Sequence, residues 1–539
     1  MSGWAALASA AVEPVKRLTA ASADPAAQQS AWLLDLVARN ADTRFGRRHR
    51  FGSITSIEDY RRRVPVAPYE QFVDDIQAIA AGSQGILTAD PVVAFEETAG
   101  STAGRKLVPY TRTGLADIES AILPWLHGLT QRHPGVAAGP AYWSISPAGR
   151  PPSRTQGGVP IGFGSDAGYF SPRTAAALSS LAAVPLSFGR IEDIEAWRFL
   201  TLRTLLARDD LAFISIWSPT FLSLLLDALP SLADRLLAAI HDGVAGCEAV
   251  VATDCSFRPR PERARALAHA IDPLDVSRIW PRLSVVSAWA HGPARGAFEA
   301  LRRRLAPIAL DAKGLMATEG VVSLSLPDRR YPVPALTSAF LEFVDAGGRA
   351  HLVHELEPAG TYRTVITTRS GLYRYDLGDE VVCRDVADGV PGLEFLGRCG
   401  VVADMVGEKL AEPFVAACIA GMDGNAILAP VESARRRYIL LHDTPLPAAE
   451  IVSRIEGRLT ENPHYAYARR IGQLGSLRAH TCPGLRSAYQ RWRVQQGQKL
   501  GDIKPPVLLR TAEETARLLS FLHSASEAAA SEIEHRRTA

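Results

Sequence analysis

Chemistry in this chain is concentrated where a short apolar run, Val92, Val93, Ala94 and Phe95, gives way to Thr98-Ala99-Gly100-Ser101-Thr102-Ala103-Gly104, with Lys106 just beyond. The apolar residues have strand composition, and the segment after them is small and rich in hydroxyls. Gly100 and Gly104 allow a sharp bend in which successive N–H groups point into one concavity. Ser101 and Thr102 add donors, and Lys106 supplies a cation at the edge. These are groups suited to a polyphosphate. An ordinary Gly/Ser/Thr turn would use the same residues, so both readings stand at this level. The pattern is not GxxxxGK[ST], because Leu107 follows Lys106 and the spacing differs.

Two carboxylates come next. In Ala317-Thr318-Glu319-Gly320 a strand end runs into a polar turn, where Glu319 either faces a cleft or is a solvated turn residue. Asp379 closes Tyr373-Arg-Tyr-Asp-Leu-Gly-Asp379, either as an acceptor for vicinal sugar hydroxyls or as a turn cap. Only six of the 59 basic residues are lysines: Lys16, Lys106, Lys313, Lys409, Lys499 and Lys504. In a chain that so prefers arginine, a lysine marks a place where a compact ammonium is wanted. That pointer singles out Lys106, Lys409 and Lys504.

A chain of 539 residues exceeds one compact core, so two or more domains are expected. Hydrophobic content of 47% and charged content of 22% are ordinary for a globular protein. The net charge of +2 and the lack of a basic tail argue against a nucleic-acid partner. Six cysteines without CxxC spacing indicate neither a disulfide framework nor a zinc site and fit a reducing cytoplasm. No signal peptide is evident, and the longest uncharged runs, 174–189 and 211–226, contain proline and fall short of a membrane span. The expectation is a cytoplasmic protein with no nucleic-acid or membrane partner.

Several elements must position these residues. A helix is expected over 28–41 and another from Ser56, together forming an N-terminal helical layer. Thr113 can cap a helix carrying Leu115, Ile118 and Ile122, which Pro124 would kink or end. Segment 144–170, dense in Gly, Pro and Ser, reads as an irregular loop of the kind that lines binding sites. A helix over 191–207 precedes a buried strand at 211–217, and Ser218-Pro219 then starts a helix. The same βα unit recurs with a strand at 283–289 and a helix at 294–305, followed by a strand at 321–326.

From 339 to 398 the pattern changes to strands, at 340–344, 361–368 and 380–385, suggesting antiparallel pairing in a small barrel or sheet. Beyond Arg398, a helix at 413–420, a hairpin through 426–442, a helix at 448–459, a strand at 474–480 and a helix at 486–496 make a small α+β unit. A lysine-bearing loop at 497–506 and an amphipathic helix from 512 to about 533 close the chain. The fold class is therefore α/β: a large layered domain over 1–398, including a small β-barrel-like part, and a small mobile α+β domain over 399–539.

In this order the pieces resemble the auxin-responsive acyl-acid amido synthetases, the Gretchen Hagen three family within the adenylate-forming enzymes. The resemblance covers nearly the whole chain. It begins at Asn40-Ala-Asp-Thr-Arg-Phe-Gly46 and Val64-Pro-Val-Ala-Pro-Tyr69 and passes through the glycine-rich loop, Ile216-Trp-Ser-Pro-Thr-Phe-Leu222 and Ala317-Thr-Glu-Gly320. It continues through Tyr373–Asp379, Leu393-Glu-Phe-Leu-Gly-Arg398, Gly407-Glu-Lys409, Glu461-Asn-Pro-His-Tyr465 and Lys504-Pro505. No single segment is decisive; the ordered set is specific.

The resemblance implies that Gly100, Ser101, Thr102 and Gly104 hold the ATP phosphates, with Lys106 beside them. It implies that Thr318 touches the nucleotide, Glu319 binds Mg2+, Asp379 takes the ribose and Phe395 the adenine. Arg398 would be the hinge, Lys409 a nucleotide contact, and Lys504 the lysine that reaches the phosphate. One residue separates Gly104 from Lys106 where the family commonly has two, and the Ala-Thr-Glu-Gly turn lacks the aromatic that often begins the plant version.

The implied reaction activates a carboxylic acid as its acyl-adenylate with release of pyrophosphate, then transfers the acyl group to an amine such as an amino acid. The rival chemistry uses a thiol acceptor such as coenzyme A. A rival of another class is a non-catalytic nucleotide-binding scaffold.

Overall fold

The computed structural model describes residues 2–98, 106–145, 153–163, 166–247, 256–406, 408–432, 436–470 and 473–524. They form two compact units. The larger takes the chain to Ile216, then Asp227–Ala288 and Leu305–Phe395. The smaller takes Trp217–Leu226, Trp289–Arg304 and the described residues from Leu396 onward. Two segments that follow strands of the larger unit are thus built into the smaller one.

At the centre of the larger unit is a parallel sheet in the spatial order Ala141–Trp143, Phe213–Ser215, Val285–Ala288, Ala309–Ala312. Its strands are short, and the two central ones, Phe213–Ser215 and Val285–Ala288, are wholly buried, as parallel strands covered on both faces must be. Register places Trp143, Ser215, Ser287 and Asp311 side by side in one row.

The helix Gly3–Ala23, which the Ala-rich N-terminus did not announce, buries Trp4, Leu7, Ala11, Pro14, Leu18 and Ala21 at three- and four-residue spacing. It packs against the helix Arg112–Arg132. Two expectations for that second helix are corrected. Its cap is Thr111, whose Oγ1 accepts from Gly114 N at 3.0 Å, and it runs through Pro124 without ending. Burial of Leu123, Pro124, Trp125 and Leu126 outweighs one missing backbone hydrogen bond.

A second sheet pairs Val92–Thr98 antiparallel with Lys106–Thr111 and carries Pro160–Ile161 and Ser153–Arg154 on its other side. Part of the segment read as an irregular loop is therefore sheet. The strand-rich region forms a five-stranded sheet in the order Ala350–His351, Phe340–Val344, Thr361–Thr367, Tyr375–Ala387, Val390–Arg398. Asp379 lies inside a strand rather than in a turn, because the chain reverses earlier, where Gly371 has φ 100° and Arg374 φ 46°.

In the smaller unit Ala426–Val431 and Arg437–His442 pair antiparallel as expected, with Arg478–Thr481 parallel to the second. Helices Glu412–Ile419, Ala448–Leu459, Pro463–Arg470 and Leu485–Gln495 accompany them. Val415, Leu428, Tyr438, Leu440, Ile455 and Leu459 belong to one core. Leu474 and Leu477 join that core from outside the strand, which begins later than their apolar pattern suggests. The last described stretch, 512–524, is helical. Among the described residues no helix is long and apolar enough to cross a membrane.

Candidate functional site

Met316–Ala317 pairs antiparallel with Gly320–Val321, Ala317 opposite Gly320, so Thr318 and Glu319 are the two central residues of a tight hairpin turn. Such a turn gives side chains a fixed direction. Glu319 is only 8% exposed, and the Tyr375 hydroxyl donates to its Oε1 at 3.1 Å. The turn's other residue is held through its backbone: the Tyr110 hydroxyl donates to Thr318 O. Tyr110 lies on the strand leaving the glycine-rich loop. Burial, with the charges of Glu96 and Glu319, pushes its phenol well above the ordinary tyrosine range, so it remains a donor.

The base of that loop has its own clamp. Tyr69 Oη accepts from Leu107 N at 2.8 Å and donates to Leu107 O at 3.2 Å. Lys106 Nζ lies 5.0 Å from the Tyr69 ring centroid and 3.7 Å from Glu70 Oε1. Lys106 is thus set at the foot of the loop. Gly100, Ser101, Thr102 and Gly104 lie outside the described residues.

The Tyr373–Asp379 motif is mostly framework. Tyr373 donates to Leu87 O at 2.6 Å and stacks on Phe45 at 4.6 Å. Arg374 is buried on Glu342 through Nε–Oε2 at 2.8 Å and Nη2–Oε1 at 3.0 Å, and donates to Val64 O at 2.9 Å. Its φ is 46°, and the next residue, Tyr375, is the one that bonds Glu319. Asp379 is buried, and its backbone oxygen accepts from Thr364 Oγ1 at 3.0 Å. Phe395 is half-buried in the strand Val390–Arg398.

In the smaller unit Arg398 is exposed at the end of that strand. Lys504 is exposed and its Nζ lies 3.5 Å from the Trp289 ring centroid. Arg398 and Lys504 both act on Glu412, whose buried carboxyl is pushed up to about 7, with desolvation the largest cause. Lys409 is exposed with φ 46°. Its neighbour Glu408 is buried and accepts from Met405 N and Val406 N, each at 2.8 Å, and from Tyr438 Oη at 2.5 Å.

Residues 14–307 match the GH3 family N-terminal domain and residues 333–398 the GH3 family central domain. This chain belongs to the GH3 family. It is 24% identical over 404 residues to a probable indole-3-acetic acid-amido synthetase of Arabidopsis thaliana, covering 70% of this chain and 68% of that one. It is 22% identical over 419 residues to a jasmonoyl–L-amino acid synthetase of Nicotiana attenuata, covering 71% of each. Its fold matches that of an acyl acid amido synthetase solved with 2,4-DB, at TM-score 0.80 and 18% identity over 92% of this chain and 93% of the other. A 2-hydroxyisobutyryl-CoA ligase shares the fold at TM-score 0.54 and 14% identity, over 93% of each chain. The mixed α/β architecture is thus that of GH3 enzymes and of adenylate-forming ligases.

Within this GH3 chain, the larger unit gathers Thr318 and Glu319 with three tyrosines the sequence reading did not single out: Tyr69, Tyr110 and Tyr375. Two of them stood inside quoted motifs, and the third lies next to the helix cap Thr111, so position was legible where role was not. Among the described residues no three His, Cys, Asp or Glu side chains gather for a metal. A single carboxylate such as Glu319 is a donor of the kind Mg2+ uses, since that ion takes one or two carboxylates and completes its shell with phosphate oxygens and water. Glu319 offers hard oxygen on a rigid turn.

Proposed function

We propose that this GH3 chain is an ATP-dependent acyl-acid amido synthetase that joins a small carboxylic acid to an amine, an amino acid in the first instance. The observation that carries the reading is the Thr318-Glu319 turn, tied by Tyr110 to the strand leaving the glycine-rich loop and by Tyr375 to the motif that ends at Asp379.

In the first step an oxygen of the substrate carboxylate attacks the α-phosphorus of ATP, the bond to the bridging oxygen breaks, and pyrophosphate leaves. A carboxylate is already a competent nucleophile at neutral pH, so the step asks for charge neutralisation and in-line placement more than for a base. Mg2+ held by Glu319 would supply part of that neutralisation. The loop of Gly100, Ser101, Thr102 and Gly104, with Lys106 at its foot, holds the phosphates. Thr318 contacts the nucleotide, Asp379 takes the ribose hydroxyls, Phe395 packs on the adenine, and Lys409 is a further nucleotide contact. Lys504 brings an ammonium to the phosphate. In the second step the neutral amine nitrogen attacks the acyl carbon, the bond to the adenylate oxygen breaks, AMP leaves, and the nitrogen releases a proton to water. A hinge at Arg398 withdraws Lys504 between the steps and opens the path for the amine.

ATP–pyrophosphate exchange against a panel of aromatic, fatty and hydroxy carboxylic acids tests the reading, with Glu319→Ala and Lys504→Ala as controls. Acid-dependent exchange lost in both variants supports it. Full exchange in Lys504→Ala removes Lys504 from the mechanism, and nucleotide binding without exchange favours a scaffold. Adding amino acids or coenzyme A to the productive acid then decides the acceptor.

A further inference from the structure

The smaller unit contains a buried carboxylate that the reaction above does not use. Glu412 is the first residue of the helix Glu412–Ile419 and is 6% exposed. Its backbone N–H is spent on Val401 O at 2.8 Å. The side chain reaches across to another segment, where Val507 N donates to Oε1 at 3.4 Å. The Arg398 backbone also hydrogen-bonds the carboxyl, and the Arg398 and Lys504 charges act on it. From the helix Leu485–Gln495, Tyr489 feels the Glu412 charge beside those of Arg493 and Glu514.

Val507 stands three residues after Lys504 and is itself anchored. Leu428 N donates to Val507 O at 2.8 Å, and Leu509 N donates to Leu428 O at 2.9 Å. The Lys504 segment therefore has one end fixed to the sheet, with the Glu412 carboxyl bonded to its first anchored amide. A carboxylate binds amide N–H groups and an ammonium far better than a carboxylic acid does, so the grip depends on ionisation. The Trp289 indole closes the site by offering its face to the ammonium at 3.5 Å. A buried acid at a helix start usually caps its own helix. Here the carboxyl instead joins the strand end at Arg398 to the loop that carries Lys504.

We propose that ionised Glu412 is the positioning residue for Lys504, holding its segment and ammonium against Trp289. The consequence for activity rests on the reading of Lys504 as the phosphate-neutralising cation, whereas the position of Lys504 does not.

The first test therefore needs no turnover. The full chain is pulse-labelled with an amine-acylating ester from about pH 6 to about pH 8.5, bracketing the Glu412 transition, and Lys504 labelling is read by peptide mass spectrometry against exposed Lys499. In the native protein the Lys504/Lys499 ratio falls as pH rises through about 7 and Glu412 ionises, because the carboxylate favours the ammonium over the reactive free amine. In Glu412→Gln the ratio loses that inflection and stands about tenfold higher at the alkaline end, the equivalent of one unit in proton affinity. Trp289→Leu raises the ratio at every pH and keeps the inflection. Superimposable native and Glu412→Gln profiles overturn the proposal.

The same proteins are then assayed for ATP–pyrophosphate exchange. Glu412→Gln lowers the exchange rate about tenfold with the KM for ATP unchanged, and Glu412→Asp recovers part of it. Unchanged exchange in a variant whose labelling has shifted overturns the activity consequence. Absence of exchange in the native protein counts against the amido synthetase reading, while the labelling profile still decides the role of Glu412.

Discussion

The phenol of Tyr375 and the carboxylate of Glu319 meet at 3.1 Å across 56 residues of chain, the donor on a strand of the five-stranded sheet and the acceptor at the tip of a two-residue turn. A hydrogen bond to an ionised acceptor contributes about 1.5–3 kcal/mol. Because Tyr375 orients Glu319 rather than replacing it, Tyr375→Phe should lower ATP–pyrophosphate exchange about tenfold or more and raise the Mg2+ concentration for half-maximal rate. Glu319→Ala should abolish exchange. Initial rates across a Mg2+ titration separate the two variants.

Tyr69 makes both hydrogen bonds to Leu107 with one hydroxyl. Tyr69→Phe removes them together and leaves a half-buried N–H and C=O without that partner. The expected cost is about 1–3 kcal/mol, read as a lower urea midpoint at unchanged slope. Because the clamp lies at the foot of the phosphate loop, the KM for ATP should rise as well.

A Cβ at Gly46 would lie 1.9 Å from Asn40 O and 2.9 Å from Ala41 O, both backbone atoms. Neither can rotate away, so Gly46→Ala must shift the turn that seats Phe45 on Tyr373. The expected loss is about 2–4 kcal/mol. Gly52→Ala meets nothing within 4 Å and serves as the control. Thermal unfolding of the two variants should differ clearly, with only Gly46→Ala lowering Tm.

The Glu412 carboxyl gives a pH dependence of defined sign. Burial raises its pKa in the folded state from the ordinary 4.5 to about 7, so between these values the folded state keeps a proton that the unfolded state has lost. Stability therefore falls as pH rises from about 4.5 to about 7 and levels off above. Glu412→Gln, neutral throughout, escapes that fall. The Tm of the variant relative to the native protein should climb across this window and plateau above it. A flat difference would mean that the carboxyl titrates normally. The function proposed for ionised Glu412 is thus obtained at some cost in stability, as is common at working sites.

Much of the framework was legible because it depends on local chemistry. Ser218-Pro219 begins a helix as its residue types require, and the hairpin Ala426–Val431 to Arg437–His442 follows from two apolar runs around a polar break. The glycine-rich segment, the Thr318-Glu319 turn and the Lys504 loop were marked out by residue type and order alone. Errors arose where distant packing overrode a local rule. Pro124 remains inside its helix because both its neighbours are buried, and Asp379 sits in a strand because the chain reverses before it.

The lysine pointer shows the same limit. Lys313 has the composition signal of the others, yet it is 3% exposed and donates to Ser215 Oγ at 2.6 Å beneath Trp125. Its partner lies 98 residues away, so no local pattern could separate it from Lys106 or Lys504. Motif order along the chain determined the family and the candidate groups, since residue types and spacings are themselves one-dimensional facts. Only the tertiary structure decided that Tyr69, Tyr110 and Tyr375 hold the loop foot and the Glu319 turn, and that the Glu412 carboxyl accepts from Val507 N, three residues beyond Lys504. Those relations are contacts between segments brought together by burial, and each depends on directions that exist only once the backbone has folded.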